Sequence, residues 1–223
     1  MYIEIKNIAK RFQKKEVLQD ISFRAESGTC IGILGGNGCG KSTLLSILAG
    51  VQKGDSGKFL YNDKDLFQHS KQHEKLVGYV PQGTPLIEEL TAWDNLLLWY
   101  DKEQLKQELE QGVLHMLGIH QFIHTTVFKM SGGMRKRLSI GCAISKKPPI
   151  LLLDEPMAAL DLACKHSITD YLRKYKAAGG ILLLATHDVV ELELCDEWYI
   201  IKGGRLVPFT YDGTIEKLVK ELE

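Results

Sequence analysis

Apolar and polar residues alternate over residues 2–9 and again over 17–23, the period-two pattern of half-buried strands, with a polar turn between them. A different pattern follows. Residues 30–34 (Cys-Ile-Gly-Ile-Leu), 150–153 (Ile-Leu-Leu-Leu) and 181–185 (Ile-Leu-Leu-Leu-Ala) are short, uninterrupted apolar runs, which predict strands covered on both faces. Residues 41–49 have helical spacing closed by Gly50, and 162–178 form a second helix closed by Gly179-Gly180. Shorter strands are predicted at 58–61, after the turn Asp55-Ser56-Gly57, and at 76–80, ended by Pro81. The chain then predicts a short helix from Asp188, a hairpin through Gly203-Gly204 and a surface helix over 214–223.

Between 84 and 147 the pattern is helical throughout. A capped helix is predicted at 91–100. Leu105, Leu109, Val113 and Leu117 recur every four residues, as on one face of a single amphipathic helix, and a third helix is predicted over 131–146. We expect an α/β fold with a mainly parallel sheet and an antiparallel β flank. Residues 1–83 and 148–223 would form the core, and 84–147 an inserted α-helical subdomain of one domain.

Composition narrows the class. The 223 residues carry 28 basic and 28 acidic side chains, a net charge of zero, so no nucleic-acid partner is expected. The short basic runs Lys14-Lys15 and Arg135-Lys136-Arg137 read as solvated faces. No apolar run approaches the ~20 residues of a spanning helix, and the first residues lack a leader's apolar region. A cytoplasmic chain is expected, with any membrane role supplied by a partner. The five scattered cysteines (30, 39, 142, 164 and 195) read as reduced thiols, mostly small core residues.

The chemistry concentrates after two of the apolar runs. Gly35-Gly36-Asn37-Gly38-Cys39-Gly40-Lys41-Ser42, followed by Thr43, fits G-x-x-x-x-G-K-[ST] and lies between a strand and a helix, the signature of a P-loop NTPase core. Glycines let backbone N–H groups turn inward around an anion, the helix dipole favours phosphate, Lys41 adds charge and Ser42 offers a hydroxyl to Mg²⁺. The competing reading is a glycine-rich turn with a stray lysine. Cys39 reads as a small residue at a free position of the motif. The run Ile150-Leu151-Leu152-Leu153 ends in Asp154-Glu155-Pro156. A parallel strand delivers its carboxyl end to the ligand crevice, so Asp154 is a candidate Mg²⁺ ligand opposite Ser42, and Glu155 a candidate base for an attacking water.

Met130-Ser131-Gly132-Gly133-Met134, about twenty residues before that strand, resembles the L-S-G-G-Q signature of the ABC-type ATPases, with Met for Leu and Met for Gln. The resemblance covers most of the chain. It implies that Gln82 is the Q-loop glutamine contacting Mg²⁺ and water, that Ala158-Ala159-Leu160-Asp161 is the D-loop, that His187 is the switch histidine, and that Phe12 stacks on adenine. It further implies an ATP-hydrolysing transport subunit, working in export with a transmembrane permease subunit on the inner face of the membrane. The subunit would form a homodimer or pair with a second ATPase subunit. ATP held by one copy would meet Ser131, Gly132 and Gly133 of the other. Met134 lacks the amide of Gln and is expected to slow coupling.

A soluble ABC ATPase of DNA repair or translation is the alternative within the family, but the chain has neither a second cassette nor a long coiled coil. A kinase or GTPase on the same loop would leave Ser131, Gln82 and His187 unexplained, and a non-hydrolysing binding module would not need Glu155. The pairs His69/His73 and His120/His124, four apart, read as solvated rather than metal-ligating. Trp93 and Trp99 read equally well as core or as partner-facing aromatics.

Overall fold

The computed structural model describes residues 1–158, 160–186, 189–211, 213 and 221, without the side chains of Val189 and Val190. Ala159, His187, Asp188 and almost all of the tail helix expected over 214–223 lie outside the described residues. In chain order the elements are β1 (Tyr2–Phe12), β2 (Lys15–Glu26), β3 (Cys30–Leu34), α1 (Lys41–Leu48), β4 (Ser56–Tyr61), β5 (Lys64–Asp65), α2 (Ser70–Leu76), β6 (Val77–Val80), α3 (Ala92–Leu97), α4 (Lys102–Glu110), α5 (Val113–Met116), α6 (Gly132–Ala143), β7 (Ile150–Asp154), α7 (Leu162–Ala177), β8 (Ile181–Ala185), α8 (Val189–Leu192), β9 (Glu197–Lys202) and β10 (Arg205–Phe209).

The strands form two sheets. One is antiparallel, in the order β2-β1-β4-β5; the other has six strands in the order β10-β9-β3-β8-β7-β6. In the larger sheet β9, β3, β8, β7 and β6 run parallel and only β10 opposes them. Its central strands explain the uninterrupted apolar runs. Ile150 and Leu152 pack with Ile31, Ile33, Leu44 and the antiparallel sheet on one face, while Leu151 and Leu153 pack with Leu138, Ile140 and Ile168 of α6 and α7 on the other. Side chains that alternate between two buried faces must all be apolar. Because the strands are parallel, their carboxyl ends share one edge: Val80 pairs with Leu153, Asp154 with Ala185, and Ala185 with Ile33.

Four expectations need correction. The amphipathic stretch is two helices, not one, broken at Gln111-Gly112, where the Glu108 carboxylate accepts a hydrogen bond from the Val113 N–H at 2.9 Å and so starts a new helix. A helix, α2, precedes β6, whose first residue is Val77 rather than Leu76. His73 of that helix is buried, not solvated. Its Nε2 lies 2.7 Å from the Leu48 carbonyl oxygen and its ring meets Phe59 edge-on. The basic run at 135–137 is likewise no solvated face: Arg135 pairs with Glu88, Arg137 donates to the Leu117 carbonyl, and Lys136 is buried. Trp93 packs against the helical core, whereas Trp99 is exposed.

Burial holds the His73 imidazole below its usual titration range. Its proton affinity is therefore lower folded than unfolded, where the value is about 6.5, so stability is retained above that pH and lost as pH falls through it. Chemical denaturation at pH 7.5 and pH 5 should show an acid loss of stability that is smaller in His73→Phe than in the wild type. An equal loss in both would contradict this.

Candidate nucleotide site

β3 runs into the glycine loop, and α1 opens at Lys41 with Gly40 as its cap and without a capping side chain. Its first-turn N–H groups are thus left to an anion or to solvent. Gly40 has φ +117°, and a Cβ there would lie 2.9 Å from Leu18 Cδ2 and 3.1 Å from the Val17 carbonyl oxygen of β2. The glycine is required both by its backbone conformation and by the hairpin pressed against it. Lys41 is buried, and its ammonium donates to the carbonyl oxygens of Gly35 (2.7 Å) and Gly36 (3.3 Å), which pins the lysine over the loop.

Asp154, at the end of β7, is 2% exposed and shares its face with Ile150 and Leu152, toward α1. Burial raises its proton affinity above that of an ordinary carboxylate; the Ser42 hydroxyl and the ammonium groups of Lys41 and Lys136 oppose that rise, while Glu155 adds to it. Its Oδ1 is buried without a hydrogen-bond partner. An orphaned carboxylate oxygen facing a serine hydroxyl is the hard oxygen donor set a divalent cation takes, so Ser42 and Asp154 fit Mg²⁺.

The chain turns sharply after Asp154. Glu155 has φ +47°, uncommon for a non-glycine residue, and its N–H is held by the Ala185 carbonyl at 2.9 Å. Its carboxylate accepts a hydrogen bond from Gln82 Nε2 at 2.9 Å, two residues beyond β6. Lys41, Ser42, Asp154, Glu155 and Gln82 therefore come together at one sheet edge. Thr186, directly before His187, is buried there with its N–H on the Ile33 carbonyl, but His187 itself lies outside the described residues. Phe12 is 45% exposed at the end of β1, with the Lys10 ammonium 5.4 Å from its ring centroid.

Ser131, Gly132 and Gly133 stand apart. The Ser131 hydroxyl caps α6 by accepting from the Met134 N–H at 3.2 Å, and Gly132 is open to solvent. Gly133 packs on Cys164, whose Sγ would lie 3.1 Å from an added Cβ and whose N–H is capped by Asp161. Ser131, Gly133, Asp161 and Cys164 line a surface cavity of about 660 Å³ to which no residue of 35–43 contributes. The phosphate loop and the Ser131 helix start thus lie on separate surfaces of one chain.

The ABC transporter family model matches residues 18–158. The chain belongs to the ABC transporter family. The cassette is 35% identical over 210 residues to Nod factor export ATP-binding protein I of Sinorhizobium fredii (strain NBRC 101917 / NGR234), an alignment covering 92% of this chain and 61% of that protein. It is also 32% identical over 213 residues to the probable sulfate/thiosulfate import ATP-binding protein CysA of Chlorella vulgaris, covering 93% and 90%. Its fold is similar to the dimeric structure of a post-hydrolysis state of the ATP-binding cassette MJ0796 bound to ADP and Pi, with a TM-score of 0.83, 25% identity, and coverage of 95% of this chain and all of that one. The cassette spans less than two thirds of the Nod factor export protein's length. The relatives thus include proteins named for export and proteins named for import.

Two features escaped the sequence reading. Lys136 hides in a basic triplet, and only its spacing four residues before Ile140 hints that it faces inward. Glu191 is buried and accepts from the Met157 N–H at 2.7 Å, fixing the turn after Pro156. Among the described residues no cluster of three or more His, Cys, Asp or Glu side chains could hold a metal.

Replacing Gly40 with Ala should cost about 1–3 kcal/mol through the strained φ and the contact with β2. A urea midpoint equal to that of the wild type would contradict this reading of the loop.

Proposed function

We propose that the cassette binds and hydrolyses MgATP as one half of a two-site dimer that drives a separate membrane-spanning partner from the cytoplasmic side, in the export direction. The observation that carries this reading is the pair of half-sites: phosphate loop, Asp154, Glu155 and Gln82 at one sheet edge, and the Ser131 helix start on another surface. Neither surrounds a nucleotide alone, and two copies related by a twofold axis would bring each against the other.

In this reading Lys41 and the N–H groups of residues 36–43 bind the phosphates, and Phe12 flanks the base. Ser42 and Asp154, with the Gln82 side-chain oxygen, would hold Mg²⁺, which would supply charge neutralisation on the phosphates. Glu155 accepts a hydrogen bond from the attacking water, and Gln82 fixes the orientation of that carboxylate. His187 contacts the γ-phosphate. Ser131, Gly132 and Gly133 of the second copy cap that phosphate from the far side, so hydrolysis removes the group that joins the two chains. Residues 84–147 form a helical subdomain inserted into the core of 1–83 and 148–223. Export is the direction named for the 35% identical relative, and it is the one we carry over.

Glu155→Gln should lower ATP turnover by about 100-fold or more while leaving nucleotide binding intact, and ATP should drive this variant into a persistent dimer in size-exclusion chromatography. Full turnover, or a monomer at saturating ATP, would overturn the proposal. Met134→Gln restores an amide at the dimer face and should raise turnover; an unchanged rate would show that Met134 costs nothing.

A further inference from the structure

Lys136 is 5% exposed, a cost that a buried ammonium must recover from its partners. The partners are unusual in where they lie. Its Nζ donates to the carbonyl oxygens of Pro81 (3.0 Å) and Gln82 (3.1 Å), the two residues directly after β6. Gln82 in turn donates to the Glu155 carboxylate. An ammonium has three N–H donors, and the two carbonyls take two of them. The same charge lies within electrostatic reach of Asp154, Glu191 and Glu155, which favour the ammonium form against the burial that disfavours it.

The helix that carries Lys136 gives this contact its meaning. α6 begins at Ser131, the cap that would meet the second copy's nucleotide, and Lys136 follows about one and a half turns later. Arg135, its neighbour, holds the outer side of the same region through Glu88 and the Phe128 carbonyl. A rigid helix therefore joins the half-site that faces the twin to the loop that orients Glu155 in its own half-site.

We propose that Lys136 is a positioning residue for hydrolysis, clamping the backbone at 81–82 to α6 so that Gln82 holds Glu155 in place and so that engagement of Ser131 is felt at the chain's own active site. The inference rests on the ATPase reading given above. It assigns Lys136 no contact with nucleotide. Its loss should therefore lower kcat rather than affinity, as expected when an interaction acts mainly in the transition state.

The test compares wild type, Lys136→Met and Lys136→Arg in steady-state ATPase kinetics, thermal melting, and amide hydrogen exchange over residues 78–84 in the nucleotide-free protein. K136M should lower kcat about 10- to 100-fold with KM for ATP changed by less than about threefold, and should speed exchange over 78–84. K136R, which keeps the charge and the donors, should recover part of the lost kcat. A K136M protein with wild-type kcat, or one whose kcat and KM change in step with its melting temperature and are not improved by Arg, would overturn the proposal. If K136M does not fold, Lys136→Gln takes its place: a reduced kcat with preserved KM supports the clamp, and a wild-type kcat refutes it. A wild type without any ATPase activity would sink the underlying functional reading instead, and the exchange measurement would still decide whether Lys136 holds the loop.

Discussion

A carboxylate buried at the end of a parallel strand is the constraint around which this molecule is arranged. Asp154 has almost no access to water, and an ion in that position must be met by cations, by hydrogen-bond donors or by a proton. The fold meets it from two directions. The Lys41 ammonium arrives from the loop after β3, and the Lys136 ammonium arrives from α6 across the opposite face of the sheet. Neither would be near Asp154 without the strand order β3-β8-β7-β6, which gathers four carboxyl ends on one edge. Yet one oxygen of Asp154 keeps no partner. In the proposed function, Mg²⁺ bound with the triphosphate would supply the positive group that this oxygen lacks.

In the proposed function the same edge divides binding from hydrolysis. β2 presses against the phosphate loop at Gly40, so the sheet hairpin constrains the loop there. The groups proposed to act on water have different supports: a left-handed backbone at Glu155, and a two-residue reach from β6 to Gln82. Such positions respond to what packs against them. The half-site at Ser131 is a bare helix cap on the surface, with an open glycine beside it. In the proposed dimer, the twin's phosphate loop and its nucleotide would meet this helix start.

How much of this could be read from residues alone follows from burial. The strands at Cys30–Leu34, Ile150–Asp154 and Ile181–Ala185 were legible almost to the residue, because a strand covered on both faces leaves an unbroken apolar run ended by glycine or by a polar residue. The motif order then predicted which strand ends would meet, and Lys41, Ser42 and Asp154 do meet. α2 was not legible: its buried anchor is a histidine, with Leu76 only half-buried, and a histidine does not register as apolar in a periodicity. The break between α4 and α5 was hidden because the four-residue leucine spacing continues across Gly112. Lys136 was hidden for the opposite reason, being a core residue with a surface residue's charge. The contact between Gln82 and Glu155 links positions 73 apart in the chain, and no local pattern encodes it.

The account stands or falls on whether one catalytic unit is assembled from two chains. The direct measurement mixes two variants that are each inactive alone, Lys41→Ala, with a damaged phosphate loop, and Ser131→Arg, with a blocked helix start, and follows ATP hydrolysis. A mixed dimer contains one site with both halves intact, so the mixture should hydrolyse ATP although neither variant does. A mixture that stays inactive while both variants still dimerise, or a Ser131→Arg protein that hydrolyses ATP at the wild-type rate by itself, would contradict it.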